Sequence, residues 1–87
     1  MERAAAVVTP PDFLRARPEA KKVRSKTIFA GNRRRRRWRD PDGTIYEWDY
    51  QHGTVEVYDR YGRHLGEINP DAGERISGPV ATRRVEP

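Results

Sequence analysis

The chain has no cysteine, so neither a disulfide framework nor a thiolate metal site supplements its core. It also lacks any long apolar run. Residues 4–8 are apolar but far too few to span a bilayer or form a signal-peptide core, and acidic Glu2 precedes them. Hydrophobic residues make up 34% of the 87 positions and charged residues 36%, which limits the chain to one small domain with a thin core and a loose, solvated end. No internal repeat breaks this into smaller units.

Positive charge is plentiful, with a net of +5 and a pI near 10.1. Such a balance attracts polyanions through counterion release. Its placement is uneven: residues 1–39 hold 13 Lys and Arg against 3 Asp and Glu, whereas residues 40–87 hold 5 against 10. A basic arm therefore precedes an acidic body. A protein that merely coats nucleic acid has little use for ten carboxylates in its folded half, so the body is a candidate for carboxylate chemistry.

Turn residues divide the chain. Residues 1–11 end in Thr9-Pro10-Pro11 and read as a loose terminus. Asp12 can cap a short helix from Phe13 toward Arg17, stopped by Pro18. Thr27-Ile28-Phe29 reads as a short strand or anchor, and Gly31-Asn32 as a turn into the run Arg33, Arg34, Arg35, Arg36, Arg37 and the following Trp38. The expected division is an N-terminal arm over residues 1–30 and an antiparallel-sheet body over residues 31–87. Within the body, residues 44–50, 54–58, 64–68, 74–76 and 83–85 read as strands between the turns at Asp40-Pro41-Asp42-Gly43, Gln51-His52-Gly53, Tyr61-Gly62-Arg63 and Asn69-Pro70. The predicted fold class is α+β, mostly β: a twisted antiparallel meander preceded by a short helix and a basic arm.

The alternation in residues 44–58 carries the chemistry. Pairing Asp49 with Thr54 puts Trp48 across from Val55 and Glu47 across from Glu56. Tyr46, Trp48, Val55 and Val57 then share one face, while Glu47, Asp49 and Glu56 share the other with His52 at the bend. RNA is cleaved without a cofactor when a base takes the ribose 2′-hydroxyl proton, an acid protonates the departing 5′-oxygen and a cation stabilises the phosphate. Glu56 suits the base, His52 the acid, and an arginine the phosphate. Alternating charges on a small sheet more often simply face water, and a lone turn histidine is more often structural. His64 reads as structural, and Tyr46 and Trp48 as core. The arginine run and Trp38 read as an RNA-binding element, although a localisation signal or an acidic protein partner would leave the same pattern. With only two histidines and no familiar ligand spacing, no metal and no cofactor are expected.

The run Ile45-Tyr46-Glu47-Trp48-Asp49-Tyr50-Gln51-His52-Gly53 resembles the ribonuclease domain of the E-group colicins and cloacin. The likeness continues through Glu56, Tyr58, Gly62, His64-Leu65-Gly66, Pro70, Gly73 and Gly78-Pro79, and a basic run ending in Trp38 precedes it. This resemblance implies a twisted antiparallel sheet preceded by a short helix, and cleavage of small-subunit ribosomal RNA at the decoding site. It assigns catalytic roles to Asp49, His52, Glu56 and Arg83, with Arg84 as the alternative one position on. It further implies a ribosomal target in the bacterial cytoplasm, an acidic immunity or antitoxin partner, and delivery by machinery outside this chain. A non-catalytic RNA-binding or ribosome-associated protein is the competing reading, and an interaction module for an acidic protein is a third.

Overall fold

The computed structural model describes residues 7–87. They form eight short strands: β1 (Lys21–Val23), β2 (Ile28–Phe29), β3 (Arg33–Arg34), β4 (Arg37–Arg39), β5 (Ile45–Asp49), β6 (Thr54–Tyr58), β7 (His64–Ile68) and β8 (Arg75–Ser77). From β4 onward the chain is an antiparallel meander, and β1 joins its far edge, giving the order β1-β4-β5-β6-β7-β8. β2 and β3 form a separate two-stranded hairpin.

The expected β5–β6 register holds, with Glu47 opposite Glu56, Trp48 opposite Val55 and Asp49 opposite Thr54. Apart from Ile45 and Tyr58, the apolar residues of these strands gather on one face, where Trp38, Tyr46, Trp48, Val55, Val57 and Ile68 form the main core with Leu14 and Ala20. Trp38 and Trp48 meet edge to face, their centroids 6.5 Å apart, an arrangement favoured by the ring quadrupoles.

Three expectations change. The helix from Phe13 toward Arg17 is absent, and no helix occurs among the described residues, so they are all-β. The backbone groups a helix would use are claimed by the body: Trp38 Nε1 donates to the Asp12 carbonyl at 3.0 Å, and Ala16 N–H donates to the Pro70 carbonyl at 3.0 Å. The second change concerns the terminus expected over residues 1–11. Residues 1–6 of it lie outside the described residues, but Val8 N–H donates to Tyr50 O and Val8 O accepts from Trp48 Nε1, both at 2.8 Å. That part is tied down because the buried Trp48 indole needs a carbonyl acceptor. Leu14, Ala20 and β1, all within residues 1–30, belong to the core and the main sheet. Thirdly, the strand expected over residues 83–85 is reduced to a bridge between Arg84 and Arg63, followed by Val85 N–H donating to Gly62 O at 2.9 Å.

Candidate active site

The face opposite the core carries a row of polar residues running from strand to strand: Arg37, Glu47, Glu56, Glu67 and Ser77 stand side by side across β4 to β8. Like charges on directly opposed residues destabilise a sheet, so each carboxylate in this row needs its own compensation. Glu47 Oε2 accepts from Arg37 Nε at 2.9 Å, Arg37 Nη2 at 2.7 Å and Thr27 Oγ1 at 2.7 Å. Both members of the ion pair are completely buried, and Arg37 Nη1 and Glu47 Oε1 have no partner among the described residues. Glu67 accepts from Thr54 Oγ1 and, at 3.0 Å, from Ser77 Oγ.

Glu56 is compensated differently. Its Oε1 meets His64 Nε2 at 2.7 Å and Arg83 Nη1 at 3.1 Å, while its side chain is only 6% exposed. His64 Nδ1 accepts the Val80 N–H at 2.9 Å, which places the ring proton on Nε2, facing the carboxylate. Oε2 of Glu56 has no hydrogen-bond partner among the described residues and belongs to a residue that lines the cleft. One oxygen is thus held and the other is available.

The β5–β6 loop supplies the second group. Asp49 Oδ1 accepts the backbone N–H groups of Gln51 at 2.9 Å and His52 at 3.1 Å, and Gly53 N–H closes the loop on Asp49 O at 2.8 Å. The same side chain holds the His52 ring, with Oδ2 2.8 Å from Nδ1. Burial acts to raise the Asp49 pKa, but the hydrogen bonds from His52 and Gln51 outweigh it and hold the carboxyl below its ordinary range. The exposed His52 imidazole is pushed up by its hydrogen bond to Asp49 and by that residue's charge, so it keeps its proton to higher pH. Tyr58 is pushed up to about 12 by burial and by the charges of Glu47 and Glu56.

These groups border one open cleft of about 720 Å³, whose lining includes Asp49, His52, Glu56, His64, Glu67 and Arg83 together with Arg35 and Arg84. The sequence-predicted Asp49, His52, Glu56 and Arg83 are therefore brought together. Arg83, rather than Arg84, is the residue paired with Glu56. Arg33 and Arg34 are exposed on the β2–β3 hairpin, Arg35 reaches the cleft, and Arg36 is engaged with Asp12 at 3.2 Å. Two members of the expected RNA-binding set are corrected: Arg37 and Trp38 are both 0% exposed, one ion-paired under the cleft and the other in the core, so neither presents a surface to RNA.

Two cleft residues escaped the sequence reading. His64 was expected to be merely structural, yet it holds Glu56; the turn at residues 59–62 puts it opposite Tyr58, on the Glu56 side of the sheet. Glu67, not singled out at all, brings a carboxylate oxygen within 4.8 Å of the ligand atoms of Asp49 and His52. That trio has the donor chemistry for a divalent cation, although its atoms already have hydrogen-bonding partners.

A small antiparallel sheet with a titratable cleft on one face and a tightly covered core on the other is the class defined here. Residues 8–86 match the Cytotoxic family, and the chain belongs to that family. Among curated proteins it is similar to colicin E3 of Escherichia coli, 41% identical over 58 residues, and to cloacin and colicin E6 of the same organism, each 40% identical over 57 residues. The matched stretch is 64% of this chain but 10% of each relative's length.

Proposed function

We propose that the chain is an endoribonuclease toxin that cleaves small-subunit ribosomal RNA at the decoding site and so stops translation. The observation that carries this reading is Glu56, held at one oxygen by His64 and Arg83 and free at the other, in the same cleft as the Asp49–His52 pair. Oε2 of Glu56 takes the proton of a ribose 2′-hydroxyl as that oxygen attacks the adjacent phosphorus. Arg83 stabilises the charge gathering on the phosphate oxygens. The bond to the 5′-oxygen breaks, and His52, charged and oriented by Asp49, donates its proton to the leaving oxygen. The products are a 2′,3′-cyclic phosphate and a 5′-hydroxyl, and no step requires a metal.

The ribosome's small subunit is the proposed target. The exposed arginines of the β2–β3 hairpin supply sequence-independent contacts to its phosphates. A net charge of +5 also favours fast capture by an acidic immunity or antitoxin protein. No described helix is long and apolar enough to cross a membrane. Action in the bacterial cytoplasm after delivery by other machinery completes the proposal.

Incubating the purified protein with intact ribosomes and sizing the RNA tests this reading. A discrete fragment from the end of the small-subunit RNA, ending in a cyclic phosphate and formed equally in chelator, is expected. Binding without any cut would favour a non-catalytic RNA-binding protein. Loss of cutting in chelator, restored by one particular cation, would instead assign chemistry to the Asp49, His52 and Glu67 trio.

A further inference from the structure

Only two phenylalanines occur in the chain, and one of them, Phe29, is spent on the small hairpin outside the main sheet. Its ring lies flat on Tyr50, with centroids 4.4 Å apart and planes inclined by 18°. Tyr50 in turn packs against the core. The two rings therefore form a short stack anchored at the Tyr50 end, and the partly exposed Phe29 borders the cleft that holds His52 and Glu56. The hairpin beneath is closed by Arg35 N–H donating to Thr27 O at 2.8 Å and is fixed to the body by Thr27 Oγ1 donating to buried Glu47 at 2.7 Å. Arg33 and Arg34 stand exposed on the same hairpin.

We propose that Phe29, backed by Tyr50, is a stacking platform for one unpaired base of the RNA next to the scissile phosphate. The proposal rests on the ribonuclease reading and adds a subsite to it. Every nucleobase presents a π-face, and proteins that grip single-stranded RNA combine such aromatic surfaces with cations on the backbone. Phe29 beside Arg33, Arg34 and Arg35 has that composition. The arrangement also serves the chemistry, because in-line attack by a 2′-oxygen requires the sugar to be held in one orientation, and a stacked neighbouring base provides the hold.

The test uses the full chain carrying Glu56→Gln, which keeps bound RNA uncut, and an RNA hairpin bearing the decoding segment with 2-aminopurine at one position at a time. One position is expected to lose fluorescence on binding. Phe29→Leu should abolish that quench and weaken binding about tenfold, in the range of a lost base–aromatic stack, whereas Phe29→Tyr should preserve both. An abasic residue at that position should weaken the Glu56→Gln protein by the same factor and the Phe29→Leu version no further. Equal abasic penalties with and without Phe29 would overturn the platform. If Phe29→Leu does not fold, a uniform abasic penalty along the RNA overturns it. These outcomes are separable from failure of the ribonuclease reading, which is decided by whether the unmodified chain cuts ribosomal RNA.

Discussion

On one face of β4, β5 and β6 stand Trp38, Tyr46, Trp48, Val55 and Val57; on the other, the intervening residues include Arg37, Glu47 and Glu56. Both faces are buried, but by different means. The first is covered by apolar contact with Leu14 and Ala20; its two indole N–H groups find backbone carbonyls and the Tyr46 hydroxyl finds the Asp40 carboxylate. The second takes charges out of water, which costs free energy and is offset only while every charge keeps its partner. The apolar face can lose area gradually, whereas the charged face fails when one group is removed. That sensitivity makes it suitable for holding reactive groups in a fixed geometry.

The sharpest way to break this contrast is to remove reacting groups from the charged face. Glu56→Gln and His52→Ala should each slow single-turnover cleavage of ribosomal RNA about a hundredfold to ten-thousandfold, the usual worth of a positioned proton-transfer group, with ribosome affinity little changed. Arg83→Ala should resemble them and Arg84→Ala should be mild. A folded Glu56→Gln that still cuts at full rate would remove the chemistry from this face.

Next come the paired residues that do not react. Arg37→Ala strands the buried Glu47 carboxylate and should cost about 3–5 kcal/mol in urea unfolding, comparable with the roughly 3–5 kcal/mol expected for Trp48→Ala on the apolar face. Replacing both partners, Arg37→Met with Glu47→Leu, should recover most of the loss. No recovery would mean that the pair is not held by mutual compensation.

A smaller effect is expected in the pH profile. Because the His52 pKa is raised by Asp49, its acid form persists to higher pH and the cleavage rate falls only as pH rises through that elevated value. Asp49→Asn removes the hydrogen-bonded charge, so the alkaline limb should move to lower pH as well as the maximum falling. An unmoved limb would assign the acid to another group. The mildest expectation concerns the exposed hairpin: Arg33→Gln with Arg34→Gln should flatten the salt dependence of ribosome binding by about 0.7–0.9 logarithmic units per lost phosphate contact, with the rate on bound substrate preserved.

The apolar face and the β5–β6 hairpin were readable because strict alternation meets a turn with a glycine at Gly53, whose φ of 69° suits a hairpin. Their register placed Glu47, Asp49 and Glu56 on one side before any coordinates were needed. β1 was not readable, since Lys21-Lys22-Val23 has no alternation and its partner β4 lies at the end of an arginine run that hides any period. The same run concealed the difference between exposed Arg33 and buried Arg37. Glu67 was hidden by backbone irregularity. Extending the pairing from the Tyr58–His64 position would set Glu56 opposite Gly66, but a register shift between Val57 and Tyr58 brings Glu67 there instead.

The segment from Gly78 onward contributes little to the sheet, yet Val80 fixes the His64 ring, Arg83 meets Glu56, and Val85 lies so close to Gly62 that a side chain there would strike its carbonyl. Every residue of β4 through β7 precedes this segment in the chain. A chain that has reached only Pro79 already carries Glu56 and His52, but lacks both the Arg83 guanidinium that meets Glu56 and the Val80 N–H that fixes the His64 ring. The main sheet is paired within residues 21–77, whereas the assembled cleft belongs only to a chain that includes Arg83.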